Sequence, residues 1–134
     1  MRMVIDTNVL VFGVINPHGP PGHVLDAALA RNIIVLHDDR ILTEYREVLT
    51  RPLFGFERAD IDTLMEFFDF AGEHVSVNQI GIILPDASDL PFLEVAVARR
   101  ADALITGNLR HFKPISGSHD VNVCTPAQLL ERRN

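Results

Sequence analysis

The chain has 134 residues, 47% of them hydrophobic, which is ample for one buried core and short for two ordinary domains. A formal net charge of −6 argues against a protein that coats nucleic acid with a general basic field, unless acidic side chains gather around bound cations. The lone cysteine, Cys124, excludes an internal disulfide and is a poor nucleus for a zinc site, so it reads as a small core residue. Apolar runs fall far short of a membrane span. Asp6 and Asn8 interrupt the run that a signal peptide would need, and the expectation is a cytoplasmic protein with no membrane contact.

In chain order, residues 3–5 form a first strand candidate. In the stretch VIDTNVL this strand delivers an acid, Asp6, where buried chain ought to hand over to a loop. Residues 20–31, PPGHVLDAALAR, begin with proline and carry Val24, Leu25, Ala28 and Leu29 at helical spacing. Residues 33–36, IIVL, are a second strand, which completes a strand, helix, strand unit. Residues 38–52 predict a helix capped by Asp38 and Asp39 and stopped by Pro52. Residues 58–71 predict another, with Ile61, Leu64, Met65 and Phe68 as its apolar stripe.

HVSV at 74–77 alternates weakly as a strand, and GIILPDASDLP is a loop carrying two acids. A helix over 89–100 leads into the strand ALIT at 103–106, then GNLRHF, a short strand at 121–123 and a last helix over 126–132. Strands alternating with helices imply a central, mostly parallel sheet covered on both faces. The expected class is α/β, a three-layer α/β/α sandwich in one domain over residues 1–134.

Sites in such sheets form at the carboxyl ends of the strands. Asp6 lies there for the first strand; Thr106, Gly107 and Asn108 lie there for ALIT, with Gly107 free to turn sharply. On the helix over 38–52, Ile41, Leu42, Tyr45, Val48 and Leu49 cover one face. Glu44 falls about 100° from Tyr45, at the border of that face, and Glu47 about 60° further round, in solvent. Asp89 opens a largely apolar helix and shares a face with Leu93 and Ala96, which directs its carboxylate along the packed side. A helix amino terminus favours that charge. Asp86 is either a further ligand or a loop residue.

Carboxylates that converge on one point repel one another strongly at low dielectric and need a counter-ion. Oxygen ligands without His or Cys select Mg²⁺ or Mn²⁺. Such an ion polarises a phosphate oxygen, acidifies an attacking water and stabilises a leaving alkoxide, so metal-assisted phosphodiester hydrolysis is the chemistry expected. Plainer readings cover other residues. Asp38 and Asp39 read as helix caps, the six histidines show no zinc spacing, and Phe67, Phe68 and Phe70 read as core or dimer surface. Arg110, His111 and Lys113 are either phosphate contacts or a solvated loop. A phosphohydrolase that forms an aspartyl-phosphate on Asp6 generally wants a second Asp two residues on, where this chain has Asn8.

Taken together, VIDTNVL, ILTEYREVL and DASDLPFLEVAVARRADALITGNLRHF resemble, in order and spacing, the PIN domain, in particular small stand-alone PIN proteins that act as toxins of toxin–antitoxin pairs. The resemblance implies a compact α/β/α fold and a Mg²⁺- or Mn²⁺-dependent ribonuclease, with RNA as substrate, a cognate antitoxin and a homodimeric state. It matches Asp6, Glu44 and Asp89 to the family's first three acids, and Thr7, Asn8 and Thr106 to the polar residues that support the metal ligands. The family's fourth acid usually follows TG. Here Asn108 stands in its place, able to bind metal or water through its amide oxygen without adding charge, and Asp86 is a possible compensation. The rival to an enzyme is a nuclease-like module that binds RNA or protein without cleaving.

Overall fold

The computed structural model describes residues 1–115 and 120–132. Strand β1 (Arg2–Ile5) passes into helix α1 (Thr7–Ile15) with Asp6 alone between them, and α2 (Pro20–Leu29) leads to β2 (Ile34–His37). Helices α3 (Asp39–Leu49) and α4 (Arg58–Ala71) precede β3 (Glu73–His74). A 3-10 turn (Ala87–Asp89) opens α5 (Leu90–Arg99), followed by β4 (Ala103–Ile105), a 3-10 segment (Leu109–Ile115), β5 (Val123–Cys124) and α6 (Pro126–Arg132).

The strands form one sheet in the order β3-β2-β1-β4-β5, and every pairing is parallel. A mostly parallel sheet is expected from the sequence, and among the described residues it is wholly so. Parallel strands are buried on both faces. Accordingly Met3, Val4, Leu36, Leu104 and Ile105 are sealed from solvent, with Phe92, Leu93, Tyr45 and Phe68 packed among them. Each such side chain contributes roughly 1.5–3 kcal/mol by leaving water.

Two features of the topology place the rim that matters. Chain leaves β1 towards β2 on one side, while β4 arrives on the other, so the sheet reverses direction of winding between β1 and β4. These two strands pair Met3 with Ala103, Val4 with Leu104 and Ile5 with Ile105. The next residues along, Asp6 and Thr106, therefore stand side by side at the carboxyl edge, and the Asp6 amide donates to the Ile105 carbonyl at 2.9 Å.

The largest departure from the sequence reading is α1. No loop follows Asp6; TNVLVFGVI is helical, burying Val9, Leu10, Val11 and Gly13 and exposing Phe12 and Ile15. Apolar residues surround this helix, so it has no stripe for periodicity to detect. The helix α2 comes close behind it: a Cβ on Gly13 of α1 would lie 2.9 Å from the Pro21 carbonyl oxygen of α2. Smaller shifts affect the strands. The second runs one residue later than IIVL and ends on His37. The third strand is Glu73–His74, with only His74 of HVSV in it, although the Val75 amide still donates to the His37 carbonyl at 2.8 Å, and the last strand is Val123–Cys124 with the cysteine buried. The helix over 58–71 and the cap at Asp38, which accepts from the Ile41 amide at 3.0 Å, are as expected.

Candidate metal centre

Asp6 is the N-cap residue of α1, with extended backbone angles φ −63° and ψ 144°, but its carboxylate makes no capping hydrogen bond. Only its backbone carbonyl serves the helix, accepting from the Val9 amide at 3.0 Å. The side chain is thereby released, and it accepts from the Thr106 hydroxyl at 2.8 Å. Thr106 Oγ1 in turn accepts from the Asn108 amide at 3.1 Å, so the bend after β4 is tied to the bend after β1. Asp6 is 5% exposed. Burial pushes its carboxyl above the usual range, the Thr106 bond opposes that, and the charge of Asp89 adds to it.

Glu44 reaches the same rim from α3. Its neighbour Tyr45 is fully buried between Phe68 and Phe92 and donates its hydroxyl to the Ile5 carbonyl, immediately before Asp6. That bond fixes α3 against the end of β1. Half-buried Glu44 then meets Thr7 at the start of α1 and accepts its hydroxyl hydrogen. Burial raises the Glu44 carboxyl; the Thr7 bond opposes the rise, and the charges of Asp6 and Asp86 reinforce it. Glu47 points into solvent and pairs with Arg51 at 2.9 Å, as its position on the helix requires.

Asp89 ends the 3-10 turn at the amino end of α5 and is 6% exposed. Burial raises its carboxyl, His111 counteracts this, and Asp86 and Glu44 add to it. His111 Nδ1 lies 2.8 Å from Asp89 Oδ2, and His111 Nε2 lies 2.8 Å from Asn108 Nδ2. Asp86 is exposed and caps the turn, accepting from the Ser88 amide at 2.9 Å and the Ser88 hydroxyl at 2.7 Å. These bonds to Ser88 hold its carboxyl below the usual range. One carboxylate oxygen each from Asp86 and Asp89 and one ring nitrogen of His111 fall within 4.8 Å of one another.

Asp6, Glu44 and the Asp86–Asp89 pair thus come from three separate places in the fold and sense one another's charge. Among the described residues no Arg or Lys lies within ion-pair distance of any of them. Thr7 and Thr106 support two of the carboxylates, whereas Asn8 is simply exposed at the start of α1. Asn108 is placed beside His111 rather than beside an acid. Gly107 differs from the sequence reading: it has no left-handed backbone, and a Cβ there would meet open space.

The three basic candidates separate. Arg110 and Lys113 are exposed and line a cavity of about 500 Å³ with Leu109, Phe112 and Val121, next to β5. His111 turns the other way, into the acids. Its place there, and the clamp formed by Tyr45, are the features that spacing alone missed. A histidine in the 3-10 segment that follows β4 is brought back onto the rim, a return that no spacing in the sequence marks.

The chain matches the PIN domain family over residues 2–110. It is 30% identical over 112 residues to an uncharacterised protein of Methanocaldococcus jannaschii, covering 81% of this chain and 71% of that one. Its fold is similar to a crystal structure of VapBC2 from Rickettsia felis bound to a DNA fragment from their promoter, with a TM-score of 0.60 and 20% identity, covering 93% of this chain and 98% of the other. No described helix is long and apolar enough to cross a membrane.

Proposed function

Because the chain belongs to the PIN domain family, we propose that it is a Mg²⁺- or Mn²⁺-dependent endoribonuclease formed by one PIN-like domain over residues 1–134, and that it is the toxin of a toxin–antitoxin pair. The observation that carries this reading is a rim of mutually repelling carboxylates, raised by burial and by one another, with no described Arg or Lys to neutralise them. The donors are hard oxygens gathered at the carboxyl edge of the sheet, a set that suits a small divalent cation.

Asp6, Glu44 and Asp89 would hold the cation, with Asp86 completing the shell directly or through water and Asn108 contributing through water or through its neighbour His111. Thr106 and Thr7 fix the orientation of the Asp6 and Glu44 carboxylates, and Asn8 flanks them. When bound, the ion supplies positive charge to a phosphate oxygen and acidifies the water that attacks it. Arg110 and Lys113 receive neighbouring phosphates of the RNA, which compensates for the negative overall charge. The likeness of fold to VapBC2 supports an antitoxin partner, and exposed Phe12 and Ile15 on α1 offer apolar surface for a homodimer or that partner. Cytoplasmic RNA is the target.

The test is cleavage of single-stranded RNA with Mg²⁺, with Mn²⁺ and with chelator. Wild type is expected to cut only with metal, leaving 5′-phosphate and 3′-hydroxyl ends, and Asp6→Asn is expected to be inactive while keeping its fold. Metal-dependent cutting by Asp6→Asn overturns the assignment. RNA binding with no cutting and no metal binding by wild type would make the protein a nuclease-like binding module instead.

A further inference from the structure

We infer that His111 is a nitrogen ligand of the bound cation, held in that role by Asn108, and that it makes the site favour Mn²⁺ over Mg²⁺. The inference rests on the metal-dependent reading above and adds to it a ligand and a selectivity.

Asp89 Oδ2 carries the first argument. This oxygen is buried and has no hydrogen bond, although His111 Nδ1 is 2.8 Å away. A hydrogen bond needs both closeness and an N–H directed at the oxygen. Two ligands of one ion also stand about 3 Å apart at ~2.1 Å per bond, but with their lone pairs turned to a third point. The contact has the separation common to both and lacks the direction of the first. Asp86 supplies the third donor: one carboxylate oxygen of each acid and one ring nitrogen of His111 lie within 4.8 Å of one another. Ligands on opposite sides of an ion with bonds of ~2.1 Å are about 4.2 Å apart, so the set closes around a cation with only a small contraction.

Asn108 carries the second argument. Its side-chain amide sits 2.8 Å from the far ring nitrogen, Nε2. Rotating that amide by half a turn places its oxygen where the nitrogen stands, at almost no steric cost. Nε2 then holds the ring proton and donates it to Asn108 Oδ1, which leaves Nδ1 unprotonated and facing Asp89. A hydrogen-bonded far nitrogen is the usual means of orienting a metal-binding imidazole. Asn108 is therefore a positioning residue, and its lack of charge is no defect in this role.

The selectivity follows from the donor. Mg²⁺ prefers oxygen and gives up its water reluctantly, whereas imidazole binding strengthens along the first-row divalent series that begins with Mn²⁺. The duller alternative is that His111 serves only as a charge partner for Asp89.

Pulsed electron paramagnetic resonance on the Mn²⁺-loaded protein separates the two. Wild type is expected to show ¹⁴N coupling to the bound Mn²⁺, and His111→Gln to lose it. By calorimetry, His111→Gln should weaken Mn²⁺ binding by about tenfold or more and Mg²⁺ binding by much less, so that the ratio of the two affinities shrinks. Bound Mn²⁺ without ¹⁴N coupling in wild type, a measurement that needs no variant, overturns the inference; so does unchanged Mn²⁺ affinity in folded His111→Gln. If either occurs while Asp6→Asn still loses Mn²⁺, the nuclease reading stands and only the role of His111 falls. If wild type binds neither ion, both fall together.

Discussion

Two acidic clusters sit at the carboxyl ends of adjacent strands, and they are solved in opposite ways. After β2, buried Asp38 and Glu94 share Arg40, whose guanidinium reaches them at 2.7 Å each, while the Ile80 amide donates to Glu94 at 3.2 Å. After β1, Asp6 meets Glu44 and Asp89 with hydroxyls and one imidazole for company and no described Arg or Lys. The first cluster carries its own cation and ties α3, α5 and the loop between them together. The second lacks an equivalent, and its carboxyls are shifted upwards by burial and mutual repulsion. Acids near the same edge of one sheet thus serve architecture or cation binding according to whether a fixed positive charge folds in with them.

Removing the internal cation should break this contrast most. Arg40→Met leaves Asp38 and Glu94 buried without their partner, and a loss of about 2–4 kcal/mol is expected in urea unfolding, below the largest values because Arg40 itself is partly exposed. Saturating Mn²⁺, at about a hundred times its dissociation constant, should stabilise wild type by about 2.7 kcal/mol and Asp6→Asn by almost nothing. Tyr45→Phe strands the Ile5 carbonyl and loosens α3 over β1; about 1–2 kcal/mol of stability should go, with a larger proportional loss of cleavage as Glu44 drifts.

The smallest effect is the most specific to charge. Carboxyls raised in the folded state contribute stability that is fully present below the ordinary carboxylate range, about pH 4, and is lost as pH rises through their folded values. Asp6, Glu44 and Asp89 follow that rule, while Asp62, Glu73 and Asp86, held low by their hydrogen bonds and ion pairs, follow the reverse. The whole-protein profile mixes both. The difference between metal-free Asp6→Asn and wild type isolates the part that Asp6 plays in the first group, and Asn should gain on Asp as pH rises from about 4 to 7. A difference independent of pH would mean that Asp6 is not under electrostatic strain.

Much of this was legible before any coordinates. Parallel strands buried on both faces declare themselves as short β-branched runs, and α4 shows its stripe, because burial on one side writes a period into the sequence. The position of Glu44 at the edge of the α3 face followed from the same geometry. Helix α1 was not legible, since a helix that is apolar all round resembles a buried strand or loop. The pairing of Asp6 with Thr106 depends on strand register, and the turn of His111 into the acids depends on where a 3-10 segment lands; neither is local. Likewise the division between the two acidic clusters rests on Arg40, a residue that sequence spacing marks only as an ordinary helix position.

The most direct measurement is calorimetric titration of Mn²⁺ into wild type and Asp89→Asn. The carboxylate rim after β1 should take up the ion in wild type, and uptake should be lost in the variant. Equal binding by the two proteins, or no binding by wild type, would contradict the view that this rim is completed by a divalent cation.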